Sequence, residues 1–126
     1  MSSIVLDASA LLLGEAGAEL VRPALAEAAM SAVNLAEVVG HFARNGVARD
    51  EIMKVLAPLP VDYAAPDVAI THDIGLLVPA TRGAGLSLGD RTCLCLARRL
   101  GVPALTADRR WLDVAEAAAV EVRLVR

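Results

Sequence analysis

The chain has 126 residues, 56% of them apolar, and its 15 acidic and 12 basic side chains give a net charge of −3. One domain of this size buries roughly two-thirds of its unfolded surface, so it needs neither disulfides nor a structural metal to fold, and 21% charged residues exclude a disordered tail protein. Aromatics are only 2% (Phe42, Tyr63 and Trp111), which argues against a single-strand reader built on stacked rings.

No apolar run approaches the ~20 residues of a membrane span. The opening MSSIVLDASALLL has no basic leader, and Asp7 stands where a signal core is apolar. The expectation is a cytoplasmic protein with no membrane partner. With no linker, repeat or low-complexity tract, residues 1–126 read as a single domain.

Ile4–Leu6 reads as a short buried strand that stops at Asp7, and a helix follows with Asp7 or Ser9 able to cap it. Residues 17–29, rich in Ala and Leu, read as a second helix, with Met30–Ala32 a weak strand. The spacing of Leu35, Val38, Val39 and Phe42 predicts an amphipathic helix over 33–45, with Glu37, His41 and Arg44 on its polar face and Asn45-Gly46 at its end. Another helix covers 48–57, and Pro58–Val61 turns into a strand. Residues 66–82 are helical in pattern but interrupted by Gly75 and Pro79, so a kink or break is expected.

Gly83–Gly85 is a loop. Ser87-Leu88-Gly89-Asp90 opens a helix that runs to Leu100 and closes at Gly101. On it, Cys93 and Cys95 are two apart, which is not metal-ligand spacing, and they read as small core residues. Val102–Leu105 leads into Thr106-Ala107-Asp108, a short helix runs to about Ala119, and Val120–Val125 is a last strand. Short strands alternating with helices predict an α/β fold with a mostly parallel sheet of four to five strands. Sites in such sheets form beyond the carboxyl ends of the strands, where Asp7 and Asp108 fall.

The charge is unevenly distributed. Residues 1–73 carry ten acids and four bases, whereas residues 74–110 carry six arginines and only two acids, Asp90 and Asp108. Four acids stand out: Asp7, Glu37, Asp90 and Asp108. Each has an ordinary structural use, Asp7 and Asp108 as helix caps, Asp90 in a capping box with Ser87, and Glu37 as an exposed helix residue. Converging on one cleft, they would repel and raise one another's pKa unless a divalent cation joined them, and oxygen-only ligation selects Mg²⁺ or Mn²⁺. Arg91, Arg109 and Arg110 adjoin two of the acids. A metal-loaded acidic pocket with a basic rim suits hydrolysis of a polyanion, the arginines holding its phosphates. Four acids assigned to a metal leave 11 against 12 bases, which removes the negative balance that argues against nucleic acid.

VLDASALL, NLAEV, GLSLGDRTCLCLARRLG and LTADRRW, in that order, resemble the motif series of PIN domains, with the nearest likeness to VapC-type toxins of bacterial type II toxin–antitoxin systems. The likeness spans essentially the whole chain. It implies a Rossmann-like PIN fold and a Mg²⁺- or Mn²⁺-dependent ribonuclease. Asp7 and Asp90 would be the principal metal ligands, Glu37 and Asp108 would complete the site, and Ser9 and Thr106 would support it. It also implies an antitoxin partner that blocks the cleft, and a homodimer. His41, four residues after Glu37, is expected to be merely exposed.

The mechanism expected from this likeness is attack of metal-activated water on an RNA phosphodiester, with no protein nucleophile. A degenerate PIN domain that only binds RNA or an antitoxin is the alternative, although all four acids are present. A haloacid dehalogenase-like phosphatase would use Asp7 as nucleophile, but the second aspartate such enzymes carry two residues later is Ser9 here, and Lys54 lies in no suitable motif.

Overall fold

The computed structural model describes residues 2–125, apart from the side chains of residues 14–17 and 20. Five strands, β1 (Ile4–Leu6), β2 (Ala28–Ser31), β3 (Asp62–Ala64), β4 (Ala104–Thr106) and β5 (Val122–Leu124), form one parallel sheet in the order β3-β2-β1-β4-β5. Helices α1 (Ala8–Leu11), α2 (Gly14–Leu25), α3 (Ala32–Arg44), α4 (Arg49–Leu56), α5 (Val68–Leu76), α6 (Val78–Thr81), α7 (Leu88–Leu100) and α8 (Ala115–Ala118) flank it. The expected α/β architecture is the one observed.

Side chains alternate across a strand, and the two cores follow that period. Ile4, Leu6, Ala28, Met30 and Leu105 join Val21, Val38 and Ile52 beneath α1 to α4. Val5, Ala29 and Ala104 join Ile74, Leu94 and Trp111 on the other face, beneath α5 and α7. β1 lies at the centre and is covered on both sides, which is why its sequence is apolar without interruption. From β1 the chain runs to β2 and β3 on one side, then crosses to β4 and β5 on the other. The crevice where the order reverses therefore opens beyond the ends of β1 and β4.

Several boundaries differ from the sequence reading. The helix expected over 17–29 is Gly14–Leu25, and Ala28 and Ala29 are strand, paired with Ile4 and Val5. Alanine's helix preference yields there to the pairing and burial that a central strand gains. The break in 66–82 falls at Leu77 rather than at Gly75, and Pro79, which has no N–H to donate, lies in the first turn of α6. The expected Gly83–Gly85 loop is a 3-10 turn over Arg82–Ala84, ended by Gly85 at φ 70°. After Asp108 a 3-10 turn (Arg109–Asp113), anchored in the core by Trp111, precedes α8. The last strand is Val122–Leu124. Cys93 and Cys95 are buried free thiols, as expected. Among the described residues no helix is long and apolar enough to cross a membrane.

One surface pair ties two helices of this layer. Asp67 caps α5 by accepting from Ile70 N (2.8 Å), and it also accepts from Arg99 Nη1 (2.7 Å) and Nη2 (3.1 Å) on α7. The Arg99 guanidinium and then the Ile70 amide lower its pKa from the ordinary 3.8 to about 2. The contribution is thus present above the unfolded value and lost as the pH falls towards about 2. Asn also caps helices well, so Asp67→Asn isolates the charge. We expect this variant to lower the thermal midpoint at pH 7 and to leave it nearly unchanged at pH 2. An equal loss at both would assign the effect to the cap instead.

Candidate active site

The site begins with the residue after β1. Asp7 has extended backbone (φ −77°, ψ 153°) at the N-cap of α1, yet its carboxylate makes no capping bond. Its Oδ2 accepts instead from Ser9 Oγ (2.7 Å) and from Thr106 Oγ1 (2.9 Å), the latter at the end of β4. Each hydroxyl also accepts a backbone amide, Ser9 from Ala107 N (3.0 Å) and Thr106 from Asp108 N (3.1 Å). Those amides turn both hydroxyl protons towards Asp7. The neighbouring strands β1 and β4 are thus stitched through one carboxylate, itself only 4% exposed.

No basic side chain among the described residues is bonded to Asp7. Burial pushes its carboxyl above the usual carboxylate value; the bonds from Ser9 and Thr106 draw it back, and the charges of Asp90 and Glu37 push it up again. The fully buried Cys93 thiol reports the same neighbourhood, raised first by burial and then by Asp7, Asp90 and Glu37. The end of β1, α3 and the start of α7 thus bring Asp7, Glu37 and Asp90 near enough for their charges to act on Cys93.

Glu37 lies on the exposed face of α3, with Oε1 accepting from Asn34 Nδ2 (2.8 Å). Asp90 completes the expected capping box: Ser87 Oγ accepts from Asp90 N, and Asp90 Oδ2 accepts from Ser87 N (2.8 Å). A pattern follows from these bonds. In each of the three acids one oxygen is held by the protein, while Asp7 Oδ1, Glu37 Oε2 and Asp90 Oδ1 have no hydrogen-bond partner among the described residues.

Asp108 is different. Its Oδ1 accepts from the Arg110 amide (3.0 Å) as well as from Arg110 Nε (3.0 Å), and its Oδ2 accepts from Nη2 (2.5 Å). The Arg110 guanidinium holds its carboxyl below the ordinary value. Arg110 also donates to the carbonyls of Ala84 (3.3 Å) and Gly85 (3.2 Å) and feels the charge of Asp90. Asp108 is therefore a cap and an ion-pair partner of Arg110.

Of the other arginines, Arg91 is half-buried and donates to the carbonyls of Ile74 (3.2 Å) and Leu86 (3.3 Å), whereas Arg109 is exposed. His41 is half-buried rather than merely exposed, with its ring edge-on to Phe42 at 5.9 Å. Sequence reasoning did not single out Asn34 or Gly89. The i, i+3 spacing of Asn34 and Glu37 was a signal for the first, and a glycine in the first turn of a long helix was a signal for the second.

The raised pKa of Asp7 has a consequence in metal-free protein. A carboxyl raised by folding favours the native state while protonated and disfavours it once ionised, so its penalty appears as the pH rises through the folded value. Asp7→Asn, which mimics the neutral form, is expected to raise the thermal midpoint at pH 7 and to match the parent protein below the ordinary carboxylate range. An unchanged or lower midpoint at pH 7 would contradict this.

Solved structures resemble most or all of the chain. The DNA-bound VapBC complex of Salmonella typhimurium aligns over 100% of both chains with a TM-score of 0.78 at 14% identity. A toxin–antitoxin complex from Klebsiella pneumoniae covers 84% of this chain and 87% of its own at 0.65 and 15%. The protein PAE2754 of Pyrobaculum aerophilum covers 98% and 91% at 0.66 and 19%. At these identities the likeness is one of fold. A search of curated protein sequences returned no match. Residues 4–117 match the PIN domain family, so the chain belongs to that family.

Proposed function

We propose that this PIN domain is a Mg²⁺- or Mn²⁺-dependent endoribonuclease, the toxin of a type II toxin–antitoxin system. The observation that carries the reading is the buried Asp7 carboxylate, bonded to no basic side chain among the described residues and sharing its surroundings with Asp90 and Glu37. Burying a carboxylate among like charges is unfavourable unless a cation offsets it.

As the side chains lie, no three carboxylate, imidazole or thiol groups among the described residues stand close enough to surround one ion. Loading would therefore draw the acids inward. The donor set is nonetheless suited to a hard cation, since Asp7, Glu37 and Asp90 each keep one oxygen without a protein partner. These three would hold the ion, with Asp108 joining if its pair with Arg110 opens. Bound there, the ion would activate water and offset charge on the scissile phosphate.

The chain's own residues do the rest. Ser9 and Thr106 fix one oxygen of Asp7 and so aim the other. Arg109 is exposed and suited to a flanking phosphate. Arg110 could serve the same end only by exchanging Asp108 for the substrate, and Arg91 only by leaving its two carbonyls. An antitoxin partner and a homodimer belong to the same proposal; the toxin–antitoxin complexes among the similar structures support the partner.

Purified protein freed of any antitoxin is expected to cleave RNA with Mn²⁺ and to stop with EDTA. Asp7→Asn and Asp90→Asn should each reduce cleavage by at least about 100-fold, or about 2.7 kcal/mol, with the circular dichroism of the folded protein retained. Full activity of either variant would sink the reading. RNA binding without cleavage would support a non-catalytic module instead.

A further inference from the structure

Asn34 is fully buried near the start of α3, and its Nδ2 donates twice, to Glu37 Oε1 (2.8 Å) and to the carbonyl of Gly89 (3.0 Å) in the first turn of α7. One amide thus links the helix that carries Glu37 to the helix that carries Asp90. Both partners are acceptors, so only the NH₂ end can face them. That orientation leaves Asn34 Oδ1 buried with no protein partner among the described residues, while both donor bonds go to Glu37 and Gly89.

Gly89 answers from the other side. A Cβ there would stand 2.7 Å from Glu37 Oε1 and closer still to Oε2, so the carboxylate fills the space a side chain would take. The obstacle is the far end of a flexible side chain. A larger residue would move the Glu37 carboxylate and leave the helix intact.

We propose that Asn34 and Gly89 are positioning residues: Asn34 ties the Glu37 carboxylate to the start of α7, and Gly89 leaves it the room to sit there. The inference rests on the reading of Glu37 as a cation ligand. Neither residue touches the reacting atoms; both act through Glu37.

The test is Mn²⁺ affinity, read from the paramagnetic resonance of free Mn²⁺, alongside the thermal midpoint of metal-free protein. Asn34→Ala and Gly89→Ala are each expected to weaken Mn²⁺ binding by at least about 10-fold, the size of such supporting contacts. Gly89→Ala should do so without lowering the midpoint, because Ala is the better helix former. In a Glu37→Gln background both substitutions should lose their effect, since their route is gone. Wild-type affinity in Gly89→Ala, or an undiminished loss in the Glu37→Gln background, would overturn the inference. If Asn34→Ala fails to fold, Asn34→Ser, which keeps one donor, should bind Mn²⁺ more weakly than wild type; wild-type affinity there would overturn the role of Asn34. Failure of the underlying reading looks different: wild type binds no Mn²⁺, or Glu37→Gln binds it unchanged, and either result overturns both.

Discussion

A carboxylate at the end of the central strand, buried and given hydroxyl donors but no cation, constrains much of what surrounds it. Asp7 lies where β1 and β4 diverge, and its two bonds come from α1 and from the last residue of β4. Ser9 and Thr106 are in turn fixed by the amides of Ala107 and Asp108, so the loop that carries the fourth acid is built onto the same network. Hydroxyls satisfy hydrogen bonding but supply no charge. On the proposed reading, a divalent cation would offset the charge that burial first, and then Asp90 and Glu37, make unfavourable at Asp7.

The four acids are electrostatically unlike. Asp7, Glu37 and Asp90 each keep an oxygen without a protein partner among the described residues. Asp108 gives both oxygens to Arg110, which also braces the turn at Ala84 and Gly85. A four-acid motif therefore resolves into three acids that each keep a free oxygen, not yet close enough to surround one ion, and one already paired. On the proposed function, a substrate phosphate that took Arg110 from Asp108 would free a fourth carboxylate.

The sequence made some of this legible and hid the rest for physical reasons. The apolar run of β1 and the Ser87–Asp90 capping box are local patterns, and both appear as read. The extent of α2 was misread because Ala28 and Ala29 carry a helix preference that only the pairing with β1 overrides. The four acids stand out in the sequence as candidates, but the pairing of Asp108 with Arg110 depends on how a 3-10 turn anchored by Trp111 orients two side chains. Asn34 and Gly89 were missed because their roles arise from the contact of α3 with α7, residues 55 apart in sequence. Adjacency to Asp90 suggested Arg91 for phosphate; a helix sends neighbouring side chains in different directions, and its guanidinium lies on two carbonyls in this structure.

The most direct test of the proposed cation site is crystallographic. Crystals grown with Mn²⁺ and measured near its absorption edge would locate the ion by anomalous scattering. The expected result is a peak held by Asp7 Oδ1, Glu37 and Asp90, with Asp7 Oδ2 still bonded to Ser9 and Thr106. Well-ordered carboxylates with no peak between them, or a peak held by Asp108 away from Asp7, would contradict it.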